Sequence, residues 1–119
     1  MKTAVLTKNG ANVIETVELA VDMASRIVGL LGRSSLGKQR AMYLSPCASI
    51  HTFGMKFPID VFFLGRDMEV KKIVRHVMPW RVVCGGAGAW SVIEVESGWL
   101  PPEALVSGDR VVLQEKSLE

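Results

Sequence analysis

The chain has 119 residues, 49% hydrophobic and 22% charged, with a formal net charge of +2. That length and balance describe one folded domain with a single core and exclude a disordered chain, and no apolar run approaches the roughly 18 residues of a membrane-spanning helix. The net charge is too small to argue for nucleic acid, and with neither a helix-turn-helix pattern nor an aromatic–glycine RNA-binding signature present, that partner is not expected.

Residues 1–8 contain no apolar stretch of export-signal length before Lys8 and Asn9-Gly10, which predicts a cytoplasmic location. Residues 3–8 and 13–19 read as strands joined by Asn9-Gly10, the dipeptide best suited to a tight hairpin turn. The period then changes. Val21, Ala24, Ile27, Val28 and Leu31 fall at helical spacing, with Asp22 or Ser25 near the start and Gly32 just past the end. An amphipathic helix over residues 20–31 is therefore predicted to pack its apolar stripe on a sheet.

Residues 34–38 read as a loop, and from Arg40 onward the chain is rich in strands. These cover residues 41–44, 50–55, 59–64 and 69–77, with Ser45-Pro46-Cys47 as a break and Gly65-Arg66-Asp67 as a turn. Met78-Pro79-Trp80-Arg81 ends the fourth of them. Gly85-Gly86-Ala87-Gly88 reads as a flexible loop, residues 90–95 as a strand and 98–104 as a turn or one short helix. Residues 111–113 form a last strand after Gly108-Asp109, and Leu118-Glu119 reads as a cloning remnant. Seven or eight short strands with one helix and no strand–helix alternation argue against a doubly wound parallel sheet. They predict an α+β fold in which one amphipathic helix packs on a mainly antiparallel, barrel-like sheet, as a single domain over residues 1–119.

Charge is uneven: residues 82–119 carry two basic and six acidic groups, a net −4 against +6 for the rest. Lys71, Lys72 and Arg75 read as solvated strand positions. Cys47 and Cys84 are too few and too far apart for a zinc knuckle and are expected as reduced thiols. No metal and no cofactor is expected.

The richest stretch is His51-Thr52-Phe53-Gly54-Met55-Lys56-Phe57-Pro58-Ile59-Asp60-Val61-Phe62-Phe63-Leu64. It sets a carboxylate inside an apolar strand, with Pro58, Phe62 and Leu64 on its own side of the pleat. Neither face of that strand is obviously wet, so Asp60 is expected to be at least partly buried and to need partners. It reads either as a base or ligand-binding carboxylate, or as a structural acceptor of backbone N–H groups. His51 lies close enough upstream to pair with it across a hairpin, as a general base would. Arg81 is the natural cation for Asp60 or for an anionic ligand. Trp80-Arg81 and the glycine loop frame a candidate pocket mouth, although no phosphate-binding glycine pattern is present. Glu94 shares a face with Val92 and Glu96, which predicts an exposed face. His76 reads as an exposed strand residue. Cys47 and His51 have a spacing compatible with a thiol nucleophile and its base, but nothing near Cys47 announces the helix N-terminus that activates such thiols.

The chain resembles the uncharacterised bacterial and archaeal proteins of domain-of-unknown-function family 192. The resemblance runs through Gly29-Leu30-Leu31-Gly32-Arg33, Ala41-Met42-Tyr43-Leu44, the whole His51 to Leu64 stretch and Pro79-Trp80-Arg81. It continues in Val92-Ile93-Glu94-Val95 with Gly98, and in Gly108-Asp109-Arg110-Val111, so the family-like region covers about residues 20–115. It implies a small α+β domain with a barrel-like antiparallel sheet and no assigned activity. Many members carry an export or lipoprotein segment that this sequence lacks, which weighs against an envelope role. The family motif maps onto His51, Thr52, Met55, Pro58 and Asp60, and onto Glu94, Gly98, Gly108 and Asp109, without assigning roles.

These readings lead to the expectation of a non-catalytic domain that binds a small molecule, peptide or protein in a cleft near His51, Asp60 and Arg81. Thr52, Trp80 and Glu94 complete the candidate ligand-binding set. The alternatives are a hydrolase-like or thiol-dependent enzyme using Asp60, His51 and Cys47, and a structural assembly partner displaying Trp80, Trp90 and Trp99.

Overall fold

A computed structural model describes residues 2–20 and 33–116. Nine strands follow in order: β1 (Thr3–Lys8), β2 (Ala11–Ala20), β3 (Arg40–Leu44), β4 (Ser49–His51), β5 (Ile59–Leu64), β6 (Val70–Val77), β7 (Val82–Cys84), β8 (Ser91–Glu96) and β9 (Val112–Glu115). Seven form one sheet in the order β6-β5-β8-β3-β2-β1-β9, and β4 and β7 make a separate two-stranded ribbon. Asn9 and Gly10 take φ +53° and +79°, the left-handed pair that a tight β1–β2 hairpin demands.

The sheet is apolar on both faces. Strand β5 is buried at all six positions. Its residues divide by parity: Phe62 and Leu64 join a core cluster with Leu6, Ile14 and Ile93, while Ile59, Val61 and Phe63 join one with Met42, Ile50, Met55 and Phe57. The β4–β7 ribbon lies over the second face through Ile50 and Val83. Gly85 permits this approach, since a Cβ there would come within 2.5 Å of the Phe63 ring.

This architecture corrects the α+β, barrel-like expectation. Among the described residues there is no helix. Ala20, expected to open one, is the last residue of β2 and pairs with Leu44; the remainder of the expected helix lies outside the described residues. Ladder hydrogen bonds to a neighbouring strand overrode the local period at that position. The segment from Gly98 to Ala104 resolves into turns, with Ala104 N–H bonded to the Pro101 carbonyl. The large sheet is open as well. Its outer strands β6 and β9 do not pair, and an isolated bridge, Glu69 to Arg110, joins their corners. Strands β2 and β3 run parallel, which requires the long crossover between residues 20 and 40.

Candidate functional site

Asp60 is 3% exposed on β5, the strand next to the outer strand β6. Opposite it, β6 carries a bulge: Ile59 pairs with Val77 and Val61 with Val74, so Arg75 and His76 together face one residue. The extra residue aims two donors at the carboxylate. Arg75 Nη1 reaches Oδ2 at 3.2 Å, and the His76 backbone N–H reaches Oδ1 at 2.8 Å, with His76 at φ +55°. Ser97 Oγ, just beyond β8, donates to Oδ1 at 3.0 Å and lies 3.1 Å from His76 Nδ1. Three donors offset the cost of burying the charge. None is His51 or Arg81, so the cleft expected among His51, Asp60 and Arg81 is not assembled by bonds between them.

His51 and Arg81 instead belong to a second cluster organised by Thr52, which is fully buried. Its hydroxyl donates to the Met78 carbonyl at 2.7 Å and accepts the Arg81 N–H at 2.9 Å. Its own N–H donates to the Arg81 carbonyl at 2.9 Å, and its carbonyl accepts the N–H of Trp80 at 3.1 Å and of Met55 at 3.2 Å. One threonine thus fastens the turn after β4 to the segment before β7. Held on this frame, Phe53 and Trp80 stack at 5.7 Å with their planes 25° apart, and the His51 ring lies 5.1 Å from Phe53. His51 Nδ1 accepts the Phe53 N–H at 3.3 Å, and Arg81 Nη1 donates to the Trp80 carbonyl at 3.3 Å. Trp80 is 65% exposed at φ +67°, and Met78 and Val82 are exposed beside it in sequence.

Glu94 is buried, contrary to the exposed face expected of it. Strand β8 lies between β5 and β3, so Glu94 faces Val61 on one side and Met42 on the other. It has no hydrogen-bond partner among the described residues, and burial pushes its carboxyl up to about 7. Glu18 on β2, which sequence reasoning missed, pairs with Met42 on the same face. Arg33 holds it with two bonds of 2.9 Å, which pull its carboxyl below the usual range. A carboxylate within the apolar alternation of Val17-Glu18-Leu19 was the signal available.

Cys47 is half-buried, and its Sγ donates to the Ser49 carbonyl at 3.0 Å, while Cys84 is exposed. The three tryptophans do not form one patch. Arg66 stacks over Trp90 at 3.8 Å at a shallow depression of about 430 Å³ lined also by Asp67, Lys71 and Gly88, and Trp99 packs against the core. Among the described residues no three His, Cys, Asp or Glu side chains converge to hold a metal ion. Asp109 serves structure, since its Oδ2 accepts Val106 N–H at 2.9 Å and Lys8 Nζ at 3.0 Å, which draws the carboxyl down.

The model of domain-of-unknown-function family 192, described as Uncharacterized ACR, matches residues 4–113. The chain belongs to this family. The matched range takes in the Thr52 and Asp60 clamps and the β1–β2 hairpin. No curated protein matches the sequence. Two solved structures share the fold. A protein of unknown function from Novosphingobium aromaticivorans DSM 12444 has a TM-score of 0.77 at 23% identity, covering 92% of this chain and 83% of its own. A protein from Sinorhizobium meliloti 1021, described as a candidate transcription regulator, has a TM-score of 0.77 at 21% identity, covering 94% and 92%. At these identities the likeness establishes the fold alone.

Proposed function

We propose that this family 192 domain is a non-catalytic binding protein whose recognition surface is the exposed face of Phe53, Trp80 and Arg81, with His51 at its border. The observation that supports this reading is Trp80. A bulky residue at positive φ is a costly backbone choice, of order 1–3 kcal/mol, and such outliers persist where surrounding structure enforces them. Here the enforcement comes from Thr52, and its product is a large aromatic ring stacked on Phe53 and turned to solvent. Tryptophan and arginine side by side are the residue types that dominate binding interfaces. Asp60 belongs to this reading as a positioning residue. By holding Arg75 and His76 it fixes the bulge from which the chain runs on to Met78 and Trp80.

The test is selection of a random peptide-display library on the wild-type domain, with Trp80→Ala as the counter-selecting surface. Clones that bind wild type and not the variant are expected. A library that yields no such clones, while the variant keeps the wild-type circular dichroism spectrum, removes the reading.

A further inference from the structure

We infer that the partner of the Trp80 surface is an acidic, extended peptide segment. It lies along β7, with apolar side chains against Trp80 and Val82 and carboxylates on Arg81 and Lys72. This rests on the binding role proposed above and goes beyond it in naming the partner's chemistry.

Charge is the first support. The sequence contains no Asp or Glu from residue 23 to 59, and none from 70 to 93. Those two stretches supply β4, β7, the Thr52–Met55 turn and the Met78–Arg81 segment. Three carboxylates separate them: Asp60 is buried and held by Arg75, while Asp67 and Glu69, in the turn before β6, pair with Arg110 and Lys71. Lys56, Lys72 and Arg81 are all exposed, and among the described residues none of them forms an ion pair. Among the described residues the surface is cationic and lacks internal compensation.

The backbone of β7 is the second. The Arg81 carbonyl accepts from Thr52 N–H, and Gly85 N–H donates to the Ala48 carbonyl, so residues 81, 83 and 85 turn toward β4. By alternation, residues 82 and 84 turn the other way. Lys72 Nζ takes the Cys84 carbonyl at 2.9 Å from that outer side, which agrees with the alternation. The Val82 N–H and C=O and the Cys84 N–H therefore lie on an outer strand edge, where an added strand finds main-chain partners. Aromatic rings and cations alone would equally suit a single-stranded oligonucleotide or an anionic membrane. The strand edge between them favours a peptide.

The experiment reads the composition of the peptides that require Trp80 and then titrates one synthesised representative. Enrichment of Asp and Glu is expected, with at least tenfold weaker binding to Arg81→Glu and to Lys72→Glu, whose side chains are exposed and whose folds should hold. Selected peptides without acidic enrichment, or binding indifferent to both charge reversals, overturn the acidic partner while leaving the Trp80 surface as a binding face. Trp80-dependent binding of a 12-nucleotide oligo(dT), or of phosphatidylcholine–phosphatidylglycerol vesicles, in place of acidic peptides overturns it as well. Absence of any Trp80-dependent binding in all three arms removes both proposals.

Discussion

Asp60 Oδ1 accepts the backbone N–H of His76 at 2.8 Å, at the residue where β6 bends through a positive φ. The carboxylate thereby holds a conformation that histidine would not choose unaided. It also holds Arg75 and Ser97, and all three donors lose their acceptor together if it is removed. Asp60→Ala should cost about 3 kcal/mol or more, the range for stripping one partner from a buried charged pair. Asp60→Asn, which keeps one acceptor oxygen, should cost less. Urea unfolding of both variants measures this, and an Asp60→Ala protein as stable as wild type would show that the carboxylate serves a ligand and not the fold.

Thr52 offers a cleaner deletion, because valine has nearly its shape without the hydroxyl. Thr52→Val leaves the Arg81 N–H without its side-chain acceptor in a buried position. A cost of about 1–3 kcal/mol is expected. Amide exchange at Arg81 should quicken more than exchange at the centre of β5, since the loss is local to the clamp. Uniform quickening across the molecule would contradict the assignment.

Glu94 makes stability depend on pH. Its folded-state value of about 7 lies above the ordinary 4.5 of a glutamate, because burial disfavours the charged form. The group therefore costs nothing below about pH 4.5. The cost grows as pH rises toward 7 and is constant above it, reaching about 3 kcal/mol at about 1.4 kcal/mol per pH unit. Glu94→Gln removes this dependence. The difference in unfolding free energy between variant and wild type should widen in favour of the variant from pH 4.5 to 7, then level off. A difference that stays flat across that window would show that Glu94 is not withdrawn from water.

Gly85 is a steric prediction. A methyl group there meets the Phe63 ring at 2.5 Å and the Ala89 Cβ at 2.6 Å, so Gly85→Ala must lift the ribbon from the sheet or displace Phe63. A loss of about 1–3 kcal/mol in thermal or urea unfolding is expected, the usual range for overpacking. Gly86→Ala has open space around it but stands at φ +81°, so its cost is a backbone one and should be smaller.

The parts of the fold legible in the sequence were those with local rules. The Asn9-Gly10 hairpin, the apolar run of β5 and the β6 strand follow from turn chemistry and alternation. The withdrawal of Asp60 from water was legible for the same reason, since its strand offered no wet face. Its partners were not. Arg75 and His76 come opposite Asp60 through a bulge, and nothing in their own sequence announces that extra residue. Strand β7 is three residues between a strained tryptophan and a glycine loop, too short to show a period. Strand β4 ends at His51 and not at Met55, because the Thr52 carbonyl is claimed by Trp80 and Met55. Glu94 looked exposed because Glu96 shares its parity. What buries it is the position of β8 between β5 and β3, which is a property of strand order and not of neighbours in sequence.

The pairing of β1 with β9 has a consequence for how the molecule is made. Ala4 to Thr7 align with Val112 to Glu115, so a hairpin synthesised early waits through nearly all the described chain for its outer neighbour. Until then one flank of β1 offers bare amides to whatever passes. Such a topology folds slowly, because distant segments must meet before their union is rewarded. During translation that flank of the nascent hairpin is open to pairing with other strands until β9 covers it.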